Sequence, residues 1–98
     1  MALNINWTEE AKTTYESILD YLHEEWTARE VEGFIDRTDN LLSIIAQQPY
    51  LFKASAYKEI RQAVMGKHNS LFYMVSHDVI YLITFWDNRQ NPAKNKFS

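Results

Sequence analysis

Leu3-Asn4-Ile5-Asn6-Trp7 alternates apolar and polar residues with period two, which predicts a short, half-buried strand. The period then lengthens. Ala11, Tyr15, Ile18, Leu19, Leu22 and Trp26 recur at steps of three and four and draw one stripe along a helix. Thr8 supplies its N-cap oxygen, and Glu9 and Glu10 place negative charge at its positive end. Thr27 restarts the pattern, and with Glu30 it forms a T-x-x-E capping box in which each side chain meets the other's free backbone N–H. Val31, Phe34, Ile35, Thr38, Leu41, Leu42 and Ile45 line the second helix, where Gly33 points to a close helix crossing. Gln48 precedes Pro49 and is pushed out of helical geometry, so the helix stops there. The two helices, of about 18 and 20 residues, make an antiparallel αα-hairpin.

After Pro49–Ala56 the period returns to two. Tyr57 to Met65 reads as a strand, with Tyr57, Arg61 and Met65 on one face and Ile60 and Val64 on the other. Gly66 to Asn69 is a turn, Leu71 to Ser76 a second strand, and His77-Asp78 a tight connection. Val79 to Trp86 is apolar on both faces and is therefore expected at the centre of a sheet. The order is β-αα-βββ. It predicts a two-layer α+β domain over residues 1–98: an antiparallel meander, joined by the N-terminal strand, with the helical hairpin on one face. Residues 93–98 read as a polar tail. Whether the first strand joins beside the first or the last strand of the meander stays open.

Composition narrows the chemistry. The chain is 98 residues long, 46% apolar and 14% aromatic, with two Gly, two Pro and no Cys, which excludes a disulfide scaffold, a thiolate metal site and a cysteine nucleophile. No apolar run is long enough to cross a bilayer and no secretory leader opens the chain, so a soluble, cytoplasmic protein is expected. The net charge of −3 hides an asymmetry: residues 1–52 carry three basic residues against ten acids, residues 53–98 seven against three. A basic working face is compatible with that balance, because local potential steers a charged partner; acidic helices with solvated faces explain it equally well.

No phosphate loop, zinc signature or nucleophile elbow is present, and nothing implies a cofactor or a metal. His23, beside Glu24 and Glu25, reads as solvated surface, and His77-Asp78 as a turn that lacks a nucleophile. His68, next to Lys67, can act as a base near neutral pH or contact a phosphate, or it is an idle turn residue. Lys58, Arg61 and Arg89, with Tyr57, Tyr73 and Tyr81 on the same layer, have the composition of a surface that binds phosphate and stacks bases. The alternative pairs Arg61 and Arg89 with Asp87 or helix carboxylates and places the tyrosines in the core. Trp7, Trp26, Phe52, Phe72 and Phe97 are many large groups for so small a core, so part of them is expected to stay exposed until a partner covers it.

The element order, the Pro-stopped second helix, S-L-F-Y-M-V at 70–75 and F-W-D-N-R-Q-N-P at 85–92 together resemble the RelE/ParE family of bacterial type II toxins over nearly the whole chain. The resemblance implies a toxin neutralised by a cognate antitoxin, whose disordered segment folds as it wraps the helices and sheet. RelE-like members cut mRNA on the ribosome without a metal; ParE-like members bind DNA gyrase. By resemblance Arg89 matches an RNA-contacting arginine, Lys58 a catalytic lysine and Arg61 a basic position on the same strand. Ser70 stands where the cleaving branch carries an arginine that stabilises the transition-state phosphate, and only Phe97 stands where that branch has a C-terminal tyrosine. The expectation is a ParE-like toxin that acts by binding. The alternatives are a ribosome-dependent endoribonuclease using Lys58, Arg61 and Arg89 with His68 as base, and a non-toxic interaction module derived from such a toxin.

Overall fold

The structure, a computed structural model, describes residues 2–54 and 59–88. It runs β1 (Asn4–Trp7), α1 (Glu9–Glu25), α2 (Ala28–Gln47), β2 (Arg61–Val64), β3 (Asn69–Ser76) and β4 (Val79–Asp87). The sheet order is β1-β4-β3-β2. β2, β3 and β4 form the expected antiparallel meander, and β4 is central. β1 lies parallel to β4 at its outer side, from Asn4 opposite Val79 to Trp7 opposite Leu82, which fixes the position that the sequence leaves open.

β1 has only four residues, so it covers the first half of β4 and no more. Beyond Leu82 the first helix takes over. Thr8 donates its hydroxyl to the Leu82 carbonyl at 2.7 Å while accepting the Ala11 N–H at 3.1 Å, so one side chain caps α1 and continues the sheet edge. One turn and a half later the Thr14 hydroxyl accepts the Phe85 N–H at 3.0 Å and donates to the Glu10 carbonyl at 2.8 Å. The helix therefore satisfies a strand edge that would otherwise be left without partners.

This attachment lays α1 and α2 over one face of the sheet. Ala11, Ile18 and Leu22 from α1 and Phe34, Leu41 and Ile45 from α2 meet Ala63, Leu71, Tyr73, Ile80, Leu82 and Phe85 in one buried cluster. Strict alternation along β4 would put Thr84, not Phe85, after Ile80 and Leu82. A register shift makes the difference: Tyr73 pairs with Leu82 and Phe72 with Thr84, leaving Ile83 as an extra residue that turns Phe85 inward. Phe85 then stacks on Trp7 (5.3 Å) and meets Tyr15 at a tilt of 56° (5.1 Å).

Four expectations need correction. Glu59 has a left-handed φ of 71°, which an extended strand does not contain, so β2 begins at Arg61 and not at Tyr57. Thr27 caps α2 without a side-chain hydrogen bond; its backbone carbonyl receives the Glu30 N–H at 3.0 Å, and the exposed turn leaves the rest to water. A Cβ at Gly33 would meet Arg37 and no atom of α1, so this glycine does not mark a helix crossing. Trp26 leaves the helix as an extended C-cap and is 45% exposed, so the buried stripe of α1 ends at Leu22. The expected tail at 93–98 and the residues Tyr57, Lys58, Arg89 and Phe97 lie outside the described residues.

Replacing Thr14 by Val keeps the shape and removes the hydroxyl, stranding the Phe85 N–H. The expected loss is about 1–3 kcal/mol in urea unfolding, with Thr14→Ser well below that. Equal stability of the Val variant and the parent would show that the hydroxyl does not complete the edge.

Candidate functional site

Arg61 opens β2 directly opposite Tyr73 of β3, so both side chains lie on the helix face of the sheet. The connection from α2 crosses over them. Tyr73, fully buried, donates its hydroxyl to the Pro49 carbonyl at 2.7 Å and meets Phe52 edge-on at 6.5 Å. Arg61 donates through Nη1 to the Phe52 carbonyl at 2.7 Å and stacks its guanidinium on the Tyr50 ring at 4.9 Å. The Gln62 N–H reaches the Lys53 carbonyl at 3.0 Å. Arg61 is thus engaged in holding residues 49–54 on the sheet, through a backbone carbonyl and an aromatic ring.

Burial pushes the Tyr73 hydroxyl up to about 12 from 10.0, against smaller downward pulls from the Arg61 charge and the Phe52 backbone. Burial is also the main cause of the upward shift of Tyr15.

Position 70 is nearly buried on β3, and Ser70 accepts the Gln62 Nε2–H at 3.1 Å. His68 lies at the other end of β2 from Arg61, in the β2–β3 turn with Lys67, half-buried. Its backbone carbonyl receives the N–H of Asn88, the residue before Arg89. Beneath it Asn69 donates to the buried Asp87 carboxylate at 3.0 Å. The described members of the predicted set, Arg61 and His68, are therefore not brought together; Lys58 and Arg89 lie outside the described residues. Arg37 of α2 shares the pocket of Lys67 and His68, a neighbour that spacing along the chain does not reveal. No group of three or more metal-ligating side chains occurs among the described residues. No helix of the described residues is long and apolar enough to cross a membrane.

The exposed apolar surface is real but differs from the expected one. Trp7 packs on Tyr15 and Phe85, Phe52 on Tyr73, and Phe72 is fully buried; of the described members of that aromatic set only Trp26 is exposed. Beside Trp26, the uncovered large apolar groups among the described residues are Ile44, Tyr50 (65%), Leu51 (57%) and Val64 (64%). A shallow groove of about 390 Å³ runs between Leu51 and Val64, lined also by Phe52, Lys53, Ala54 and Gln62, beside β2.

Comparison with known proteins adds to this geometry. Residues 5–92 match the family model of the ParE toxin of the type II toxin–antitoxin system parDE. No curated protein matches in sequence. Among solved structures, the fold is similar to a chain of the chromosomal ParDE toxin–antitoxin system from P. aeruginosa, with a TM-score of 0.74 and 12% identity over 88% of this chain and 96% of that one. It is similar also to a free-state mutant of the E. coli toxin RelE (TM-score 0.62, 13% identity, 94% of this chain and 90% of that one). A third is a chain of the E. coli DinJ-YafQ toxin–antitoxin complex (TM-score 0.62, 8% identity, 93% and 98%).

The raised Tyr73 hydroxyl has a measurable consequence. The unfolded chain releases that proton near pH 10 and the folded chain near 12, so stability is intact below 10 and falls as pH rises through this window, by at most about 1.4 kcal/mol per pH unit. Tyr73→Phe is expected to lose about 1 kcal/mol at pH 8 and to show a shallower alkaline decline than the parent. Parallel declines would mean that Tyr73 does not titrate as a buried group.

Proposed function

The chain belongs to the ParE toxin family of type II toxin–antitoxin systems, and on that premise we propose that it arrests growth by binding a protein target, DNA gyrase, rather than by cutting RNA. The observation that carries this is at position 70. Where the cleaving branch is expected to carry an arginine, this chain has a nearly buried serine hydrogen-bonded to Gln62. Loss of one preorganised charge from a transition-state site costs on the order of 10²–10³ in rate. Arg61 does not make up for it, because its guanidinium is occupied by the Phe52 carbonyl and the Tyr50 ring. A binding toxin needs no such charge.

The cognate antitoxin of this proposal covers the outer side of β2. Lys53 and Ala54 already bond to the start of β2, at Gln62 and Arg61, so what this side offers a partner is the groove beyond them, where exposed Leu51 and Val64 present apolar contacts to an extended segment. Leu51→Lys combined with Val64→Lys is expected to weaken antitoxin binding at least about tenfold, since each apolar side chain contributes roughly 1.5–3 kcal/mol when buried. Unchanged affinity would move the antitoxin to another face.

The target is tested with purified components. Added to gyrase, the chain is expected to suppress supercoiling; added to programmed ribosomes, it is expected to leave the mRNA intact. Cleavage of ribosome-bound mRNA would overturn the proposal.

A further inference from the structure

The chain contains two glycines, and both border a single side chain. Gly33 lies one helical turn before Arg37 on α2, and a Cβ there would stand 3.3 Å from Arg37 Nη1. Gly66 lies in the β2–β3 turn, and a Cβ there would stand 3.7 Å from Arg37 Nε and 4.0 Å from its Cδ. A glycine inside a helix costs stability relative to alanine, and at position 33 what it clears is room for the guanidinium. The guanidinium opens onto a pocket of about 220 Å³ lined by Glu30, Arg37, Gly66, Lys67, His68 and Asn69.

Among the described residues no carboxylate lies within 4.0 Å of the Arg37 guanidinium. Glu30 lines the same pocket without closing on it. Asn69 is held below by its bond to Asp87. A planar guanidinium fork, an ammonium group and an imidazole around one small opening match the tetrahedral oxygens of a phosphate.

We propose that Arg37, Lys67 and His68 form a binding site for the phosphate group of a small molecule. One acid against two fixed cations leaves charge for a single phosphate and disfavours a polyphosphate. A long nucleic acid is disfavoured as well, because Glu16, Asp20 and Glu24 draw an acidic stripe along α1 and residues 1–52 hold ten acids in all. The site uses none of the groups that the proposed target binding depends on, so either can fail alone.

The test is a titration of the ¹⁵N-labelled full chain with inorganic phosphate and, separately, with adenosine monophosphate, against potassium chloride at matched ionic strength. Saturable shifts confined to the amides of 66–69 and the Arg37 Nε–H are expected. Tighter binding of the monophosphate ester identifies an ester as the ligand class, and equal binding identifies free phosphate. Arg37→Gln should weaken binding at least about tenfold. Gly33→Ala keeps every charge, should melt at a higher temperature, and should still weaken binding because its methyl displaces the guanidinium. Absence of saturation, equal shifts with chloride, or undiminished binding by Arg37→Gln would overturn the proposal. Saturable binding of duplex DNA without binding of either small phosphate would overturn it in favour of a nucleic-acid backbone.

Discussion

Past Leu82 the outer edge of β4 has no strand beside it, and two threonine hydroxyls of the first helix take the strand's place. Thr8 meets the Leu82 carbonyl and Thr14 meets the Phe85 N–H, so the helix is fixed to the sheet by directed bonds as well as by apolar contact. Much else follows from that attachment. With α1 anchored, Tyr15 falls between Trp7, Phe34 and Phe85, and the two-residue link Trp26–Thr27 returns α2 antiparallel across the same face. The Leu3 N–H closes the arrangement by bonding to the Ala46 carbonyl near the end of α2. A small domain with two central strands buried under one helical hairpin gets its orientation from a few such polar bonds, because apolar burial alone is not directional.

The sequence showed the elements more clearly than their joints. The helical stripes, the Pro49 stop and the apolar run of β4 are local patterns, and each leads to the element that forms. What it did not show depends on contacts distant along the chain. The Ile83 bulge is invisible to alternation, because Thr84 and Phe85 exchange places only when β3 is present. The late start of β2 follows from the left-handed Glu59, a residue type with no particular preference for that region. Which of the large groups stay exposed is hidden for a similar reason: Trp7 and Phe52 look no different from Trp26 until Phe85 and Tyr73 are placed against them, and of the described members Trp26 alone stays exposed.

The same separation governs the site. Tyr73 stood out by sequence as part of a motif, and its position proves to be structural, an anchor for the crossover at Pro49. Arg61 was legible as a basic residue on the sheet but not as the partner of the Phe52 carbonyl and the Tyr50 ring. Arg37 gave no signal as a neighbour of Lys67 and His68, although the two glycines that border it were in plain view. A toxin fold shared at 8–13% identity with ParDE, RelE and DinJ-YafQ chains preserves the sheet and the helical hairpin while the side chains on them change. What those side chains do here is hold the crossover to the sheet and leave Leu51 and Val64 exposed beside β2.

The central claim is that this toxin stops growth by holding a target of DNA metabolism and not by cutting messages. Its most direct test is pulse incorporation of labelled thymidine and leucine in bacteria within minutes of inducing the chain without its antitoxin. Thymidine incorporation should fall first, with leucine incorporation following later. A collapse of leucine incorporation ahead of thymidine would contradict the claim and return the search to a catalytic site.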